Sequence, residues 1–245
     1  MRRREPDKHT AYFDLLEACK QEGCPVCTLT LAAVAHYLDA IIYESVNDPP
    51  TRMELVAAAG YCNEHSWKLR DMGAALGAAI MYRDVLRQAA KAIERQPRRD
   101  GLQLFPDRPR ARWPRRWLTG RARAGGRDLA DPHTSCPACA MREHAELLYL
   151  GVLLEHVGET EATVAFRGSA GLCLVHLDRA QTVAGKRAAL DRLLALEGEL
   201  LRALDDDLSE FARKHDYRYL GEKVGAEGDS WIRAIGLVAG KPGIR

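Results

Sequence analysis

The sequence contains little that would suggest a membrane protein, a fibrous protein or a disordered chain. Its 36 Lys and Arg residues nearly balance its 34 Asp and Glu residues, and 47% of the 245 residues are hydrophobic. This composition excludes a disordered chain, a collagen and a coiled-coil fibre. No apolar run approaches the roughly 18 residues of a membrane span, and the polar start MRRREPDKHT is not followed by the hydrophobic region of a signal peptide. We therefore expect a cytoplasmic protein that does not enter a membrane.

The alternation of apolar and polar residues that is typical of strands is also absent. Apolar residues instead recur at steps of three and four, most clearly over residues 26–42 and 67–86, which predicts amphipathic helices. Asp48 is followed by two prolines, a pattern typical of an N-cap and a first helical turn, and Gly60 is placed to end that short helix. The sequence therefore predicts an all-α protein.

The chain resembles itself at an offset of about 112 residues. A Cys-Pro-x-Cys motif occurs at residues 24–27 and 136–139, and Gly-x-Cys-x-x-His follows about 35 residues later, at 60–65 and 171–176. A single one-residue gap reconciles the two copies, which indicates a duplication. Each repeat is expected to form a helix, a short helix and a long helix, and in the second repeat residues 175–214 can form either one very long helix or a broken pair.

Three cysteines and one histidine in each repeat form a complete set of ligands for one tetrahedral metal ion. Zinc accepts sulfur and nitrogen ligands without a geometric preference, and its structural sites are closed by four protein ligands. A hairpin of two helices would bring the distant motifs of one repeat together. The sequence predicts two zinc ions per chain, one held by Cys24, Cys27, Cys62 and His65 and the other by Cys136, Cys139, Cys173 and His176.

Two other chemistries remain open for these cysteines. The CPVC and CPAC motifs have the form used in thiol–disulfide exchange, although no β-α-β pattern surrounds them and the second Cys/His motif is not needed by a dithiol enzyme. Iron or an iron–sulfur cluster is the other alternative, but a set with one histidine is less usual for it than four cysteines. Four protein ligands leave no open coordination position, which disfavours an enzyme.

Three further residues could carry chemistry outside the repeated motifs. Glu44 and Glu155 recur at matching places in the two copies and could form a second, carboxylate site, or they could be solvated helix ends. Cys19 is the seventh cysteine and has no partner in the repeat. We expect it to be a small buried residue rather than a nucleophile.

An arginine-rich insert separates the repeats. Residues 95–127 contain eleven Arg, two Asp and four Pro, so the formal charge is +9 and the remainder of the chain carries −7. Such a composition favours a solvated linker or exposed loop. The alternative is nucleic-acid binding, in which arginines contact phosphates and indoles stack on bases. The residues expected to make such contacts are Arg110, Arg112, Trp113, Arg115, Arg116 and Trp117.

These motifs resemble those of an uncharacterised bacterial family of domain-of-unknown-function proteins. The resemblance rests on the paired CPxC…GxCxxH blocks, the run YESVND at residues 43–48 and the tail KHDYRYLGEKVGAEGDSWIRAIGLVAGKP. It covers most of the chain outside the insert. Such a resemblance supports the repeat, but it implies no established activity and no substrate.

The sequence thus predicts two helical metal-binding repeats packed as an internal pseudo-dimer, with a C-terminal helix as a brace. The expected boundaries are 1–94 for the first repeat, 95–130 for the linker, 131–215 for the second repeat and 216–245 for the tail. We expect a non-enzymatic zinc protein that presents a helical surface to an unknown protein partner. The alternatives are a thiol–disulfide protein and weak nucleic-acid binding through the insert.

Overall fold

Helices form all of the regular secondary structure in the part of the chain that the computed structural model describes, which is residues 8–94, 136–219 and 221–244. The first half contains α1 Lys8–Ala18, α2 Pro25–Tyr43, α3 Pro49–Ala57, α4 Asn63–Asp71 and α5 Ala75–Glu94. The second half contains α6 Pro137–His156, α7 Thr160–Arg167, α8 Leu174–Val183, α9 Arg187–Lys214 and α10 Ser230–Ala239. Two short 3-10 turns, Tyr217–Tyr219 and Ala226–Asp229, precede α10. The prediction of an all-α protein is confirmed.

The order of helices is the same in the two halves. Helices α2 to α5 correspond to α6 to α9, with a Cys-Pro motif at the start of each long first helix and a Cys-x-x-His motif at the start of α4 and α8. Asp48 caps α3 as predicted, because its carboxylate accepts a hydrogen bond of 3.1 Å from the backbone N–H of Thr51.

The expected long third helix of the first repeat is wrong, because that repeat breaks it, whereas the second repeat forms the broken pair of helices that was one of the two expected arrangements. In the first half the break separates α4 from α5 at Gly73, whose φ of 74° lies in the left-handed region and cannot continue a right-handed helix. In the second half Ala184 leaves α8 with an extended backbone, so residues 174–214 form a pair of helices rather than one.

The contacts divide the chain into two compact units. Unit 1 comprises Met1–Ala33 and His144–Arg245, and unit 2 comprises Val34–Glu143, within the ranges that are described. These limits differ from the expected repeat boundaries at residues 94, 131 and 215. The reason is that α2 and α6 each contribute their first turns to one unit and their later turns to the other.

Each unit has its own apolar core. Unit 1 buries Leu15, Leu153 and Phe166, together with the start of α2. Unit 2 buries Leu38, Leu55, Met81 and other side chains of α2 to α5. Helix α10 packs against α8 and α9 inside unit 1, as expected for a brace. Helix α1, which the sequence pattern did not predict, contacts α7 in the same unit.

Candidate metal centres

The first cluster lies in unit 1 and joins two helix starts. Cys24 precedes α2 and Cys27 is in its first turn, whereas Cys173 is the N-cap of α8 and His176 is in the first turn of α8. The Sγ atoms of Cys27 and Cys173 are 3.5 Å apart. Nδ1 of His176 lies 3.5, 3.4 and 3.2 Å from the sulfurs of Cys24, Cys27 and Cys173 respectively. All four side chains are buried.

The second cluster has the same construction in unit 2. Cys62 is the N-cap of α4 and His65 lies in the first turn, and the other two ligands come from the start of α6. Nδ1 of His65 is 3.2 Å from the sulfur of Cys62, 3.6 Å from that of Cys136 and 3.4 Å from that of Cys139. The sulfurs of Cys62 and Cys139 are 3.7 Å apart. These four side chains are buried too.

The structure corrects the predicted grouping of the eight residues. The first repeat's CPVC motif meets the Cys-x-x-His motif of the second repeat, and CPAC meets that of the first repeat. The expected hairpin fails because the helices that follow α2 pack with its later turns, from Val34 to Ile42, in the core of unit 2, whereas Cys27 lies in the core of unit 1. The segment from Tyr43 to Cys62 therefore does not return along α2 to Cys27.

The distances within each cluster match a tetrahedron around one small ion. Zinc bonds of about 2.3 Å to sulfur and about 2.05 Å to nitrogen require edges of about 3.6 to 3.8 Å. The distances given above fall between 3.2 and 3.7 Å, and all four ligand atoms of each cluster lie within 4.8 Å of one another. A disulfide requires about 2.05 Å between sulfurs, and all seven cysteines are free thiols.

The electrostatics of each cluster favour a cation at its centre. In the first cluster, burial and hydrogen bonds to Cys173 and Cys27 raise the pKa of Cys24 well above its usual value. In the second, hydrogen bonds to Cys139 and Cys62 lower the pKa of Cys136 to about 3. Contacting thiols thus compete, and one thiolate is stabilised at the expense of its neighbours. A divalent cation stabilises all of the thiolates at once.

Two buried carboxylates near the first cluster were not predicted from the sequence. Glu146 on α6 lies beside His176, with 3.8 Å between Oε1 and Nε2, and its Oε2 is 3.1 Å from Nη1 of Arg179. Glu197 on α9 accepts a hydrogen bond of 3.0 Å from the N–H of Leu172, the residue before Cys173. Neither glutamate has a counterpart in the repeat alignment, so the duplication gives no signal for either of them.

The imidazole of His176 responds to these neighbours. Burial alone would lower its pKa, but the sulfurs of Cys173 and Cys27 and the nearby carboxylate of Glu146 outweigh burial and raise the pKa to about 11. Nδ1 lies 3.2–3.5 Å from the three sulfurs of the cluster. A metal ion bound to Nδ1 would take the place of the proton that the imidazole otherwise binds there.

The other predicted residues lie outside the two clusters. Glu44 is exposed in unit 2 and Glu155 is exposed in unit 1, and neither belongs to a group of metal-ligating side chains in the described ranges. Cys19 is 4% exposed in the core of unit 1, and burial raises its pKa to about 11, so its thiolate is disfavoured. The six insert residues proposed for nucleic-acid contact, from Arg110 to Trp117, lie outside the described residues.

Helix α2 is longer and more apolar than the sequence pattern predicted. By length and composition alone it could cross a membrane, so the expectation that no such stretch exists is wrong. Buried helices of water-soluble proteins meet the same criterion. In this structure 44% of its apolar window is buried, with Val26 and Cys27 in the core of unit 1 and Val34 and Leu38 in that of unit 2.

Comparison with known proteins gives a family but no activity. Residues 11–243 match a family described as a family of unknown function, DUF6062. The chain is also 26% identical over 235 residues to a protein of Caldicellulosiruptor sp. (strain Rt8B.4) described as an uncharacterized 23.9 kDa protein in the xynA 3' region. That match covers 92% of this chain and 99% of the relative. No solved structure matches.

Proposed function

This chain belongs to the family DUF6062, whose function is unknown, and we propose that it is a zinc-stabilised helical protein, not an enzyme, that binds a protein partner. In this proposal each cluster holds one zinc ion, so that each chain carries two. The reducing cytoplasm would keep the six ligand thiols available for metal.

The observation that carries the proposal is the pair of closed, buried Cys₃His clusters with tetrahedral edges. Every ligand comes from a protein side chain, so no coordination position is left for a substrate or a reactive water. Each ion would tie the start of one helix to the start of a helix distant in sequence, α2 to α8 and α6 to α4. This arrangement supports a structural role for the metal.

The donor atoms favour zinc over iron. Ligand atoms 3.2 to 3.7 Å apart leave room for a single ion, whereas an iron–sulfur cluster places several irons and inorganic sulfides inside its ligand shell. Zinc also accepts three thiolates and one imidazole without a geometric penalty. A thiol–disulfide function would leave the third thiol and the imidazole of each cluster without a role.

Elemental mass spectrometry of the purified protein, combined with a visible absorption spectrum, tests the metal. We expect about two zinc ions per chain and no absorption in the visible range. A brown protein that contains iron, or a protein with reactive thiols and no metal, would overturn the zinc assignment.

The surface proposed for the partner is the exposed side of α10. Trp231, Ile232, Ile235 and Val238 are each 49–59% exposed, and residues 231, 235 and 238 follow helical spacing along one side. An apolar stripe of this kind on an exposed helix is typical of an interaction site. The opposite side of α10 packs on α8 and α9.

Crosslinking in the native host tests this surface. The double variant Trp231→Ser, Ile235→Ser should lose a specific crosslinked species while it retains zinc and helicity. Leu76→Ser, which replaces an exposed leucine of unit 2, is the matched control and should retain that species. Equal crosslinking by all three proteins would reject α10 as the partner surface.

A further inference from the structure

The two clusters share their ligand types but differ in what supports the histidine. In unit 1, Glu146 is 1% exposed and His176 is fully buried, and the carboxylate lies between the imidazole and the guanidinium of Arg179. In the part of the chain that the structure describes, Nε2 of His176 has no hydrogen-bond partner, and Oε1 of Glu146 is 3.8 Å away. A small rotation of either side chain brings these two atoms to hydrogen-bond distance.

The second cluster has a different neighbourhood. In the repeat alignment, Val34 occupies the position of Glu146, and Lys68 occupies that of Arg179. Val34 is buried and apolar, so it offers no acceptor to an imidazole N–H. Among the described residues, the hydrogen-bond contacts of the His65 ring are to the three sulfurs of its own cluster.

We propose that Glu146 is a positioning residue for His176 and that, in consequence, the first cluster retains its metal when the second cluster has released its own. A neutral imidazole carries one proton, and a carboxylate that accepts a hydrogen bond from Nε2–H keeps that proton on Nε2, so the lone pair of Nδ1 is directed at the metal. Arg179 offsets the charge that Glu146 adds beside a zinc site of net charge −1. This inference rests on the metal binding proposed above.

Glu197 gives the first cluster a second support. Its carboxylate accepts from the N–H of Leu172 and fixes the backbone that leads into Cys173. A Cβ added at Gly171 would lie 2.6 Å from Oε1 of Glu197. At the corresponding Gly60 of unit 2, an added Cβ would instead lie 3.6 Å from a ring carbon of Tyr82. Buried carboxylates thus hold both the cysteine and the histidine that α8 contributes to the first cluster.

A chelator challenge read out by cysteine alkylation distinguishes the two clusters within the wild-type chain. The zinc-loaded protein is mixed with excess EDTA, sampled over time, alkylated with iodoacetamide and mapped by peptide mass spectrometry. We expect Cys62, Cys136 and Cys139 to be labelled at least about tenfold faster than the first-cluster cysteines, since outer partners of ligands typically change metal affinity 10–100-fold. Equal rates, or faster labelling of the first cluster, would overturn the inference.

Substitution of Glu146 tests the mechanism. Glu146→Leu should accelerate release from the first cluster about 10–100-fold and leave the second unchanged, and Glu146→Gln, which restores an acceptor, should recover part of the difference. Glu155→Gln, an exposed position on the same helix, is the control and should release metal as the wild type does. Unchanged release, or equal acceleration at both clusters, would reject Glu146 as a positioning residue. A wild-type chain that binds no zinc, with all six thiols labelled before chelator is added, would instead reject the proposed function.

Discussion

The sulfurs of Cys27 and Cys173 lie 3.5 Å apart although 146 positions separate the two residues in sequence. One is in the first turn of α2 and the other caps α8, so a metal ion bound between them would fix the ends of two helices from different repeats. In unit 2, Cys62 of the first repeat and Cys139 of the second repeat meet in the same way. Loss of either metal should therefore disturb segments from both halves of the chain.

Replacement of a ligand cysteine should destabilise the protein more than replacement of Cys19. Cys62→Ala or Cys173→Ala should lower the free energy of unfolding by about 3 kcal/mol or more, because metal binding is coupled to folding, and so reduce Tm by about 6–12 °C. Cys19→Ala removes only one buried sulfur and should cost about 1 kcal/mol. Thermal melts with and without chelator provide the comparison, and equal losses for the three variants would refute a metal-coupled fold.

Gly171 should tolerate no side chain. Its φ of 75° is unfavourable for other residues, and an added Cβ would lie 2.6 Å from Oε1 of Glu197. Gly171→Ala should therefore cost about 1–3 kcal/mol in urea unfolding. Gly151→Ala is the control, because Gly151 lies inside α6 with no neighbour within 4 Å of a new Cβ, and it should be neutral or stabilising. Equal effects of the two substitutions would contradict this packing.

The buried carboxyl of Glu197 should make stability depend on pH. Burial raises its pKa from 4.5 to about 7, although the hydrogen bond from Leu172 lowers it. Between these values the folded chain holds a proton that the unfolded chain has lost. The free energy of unfolding of the wild type, measured relative to that of Glu197→Gln, is therefore highest below about pH 4.5. It falls by at most about 3 kcal/mol as the pH rises through about 7.

Urea unfolding of the two zinc-loaded proteins between pH 4.5 and 8 measures this difference directly. The Gln variant keeps an acceptor for Leu172, so it removes only the ionisable group. A difference that stays constant across the range, or that changes in the opposite direction, would show that Glu197 is not the group responsible.

The arginine-rich insert should be dispensable for the metal sites. Neither cluster draws a ligand from it, so deletion of residues 98–123 should leave zinc content and helicity nearly unchanged. Any affinity of the wild type for nucleic acid should be weak, should fall steeply as salt rises and should disappear with the deletion, because arginine–phosphate contacts release counterions. Loss of zinc on deletion would show that the insert is part of the fold. Tight binding that resists salt would indicate a structured recognition surface.

Local features of this fold could be predicted from the sequence. The Asp48 cap and the helical periodicity of residues 26–42, which lie in α2, each depend on a few neighbouring residues. The eight residues of the two Cys/His clusters could be named as well, because the duplication repeats them.

The grouping of those residues could not be predicted, because spacing along the chain does not show which helix ends meet. In each repeat the Cys-Pro-x-Cys and Cys-x-x-His motifs are about 35 residues apart. This spacing allows the two motifs of one repeat to meet, and it equally allows each motif to meet one from the other repeat. Glu146 and Glu197 escaped notice for a different reason. Each is a single buried glutamate on an amphipathic helix, and only the fold shows that Glu146 lies beside His176 and Glu197 behind Leu172.

The zinc content of double cysteine variants tests most directly whether each metal is bound by motifs from both repeats. Cys27→Ala, Cys173→Ala damages one cluster twice, so this variant should retain about one zinc per chain after gel filtration. Cys27→Ala, Cys62→Ala damages both clusters and should retain almost none. The reverse result, with one zinc in the Cys27, Cys62 variant and none in the Cys27, Cys173 variant, would show that each repeat binds its own metal and would contradict the account.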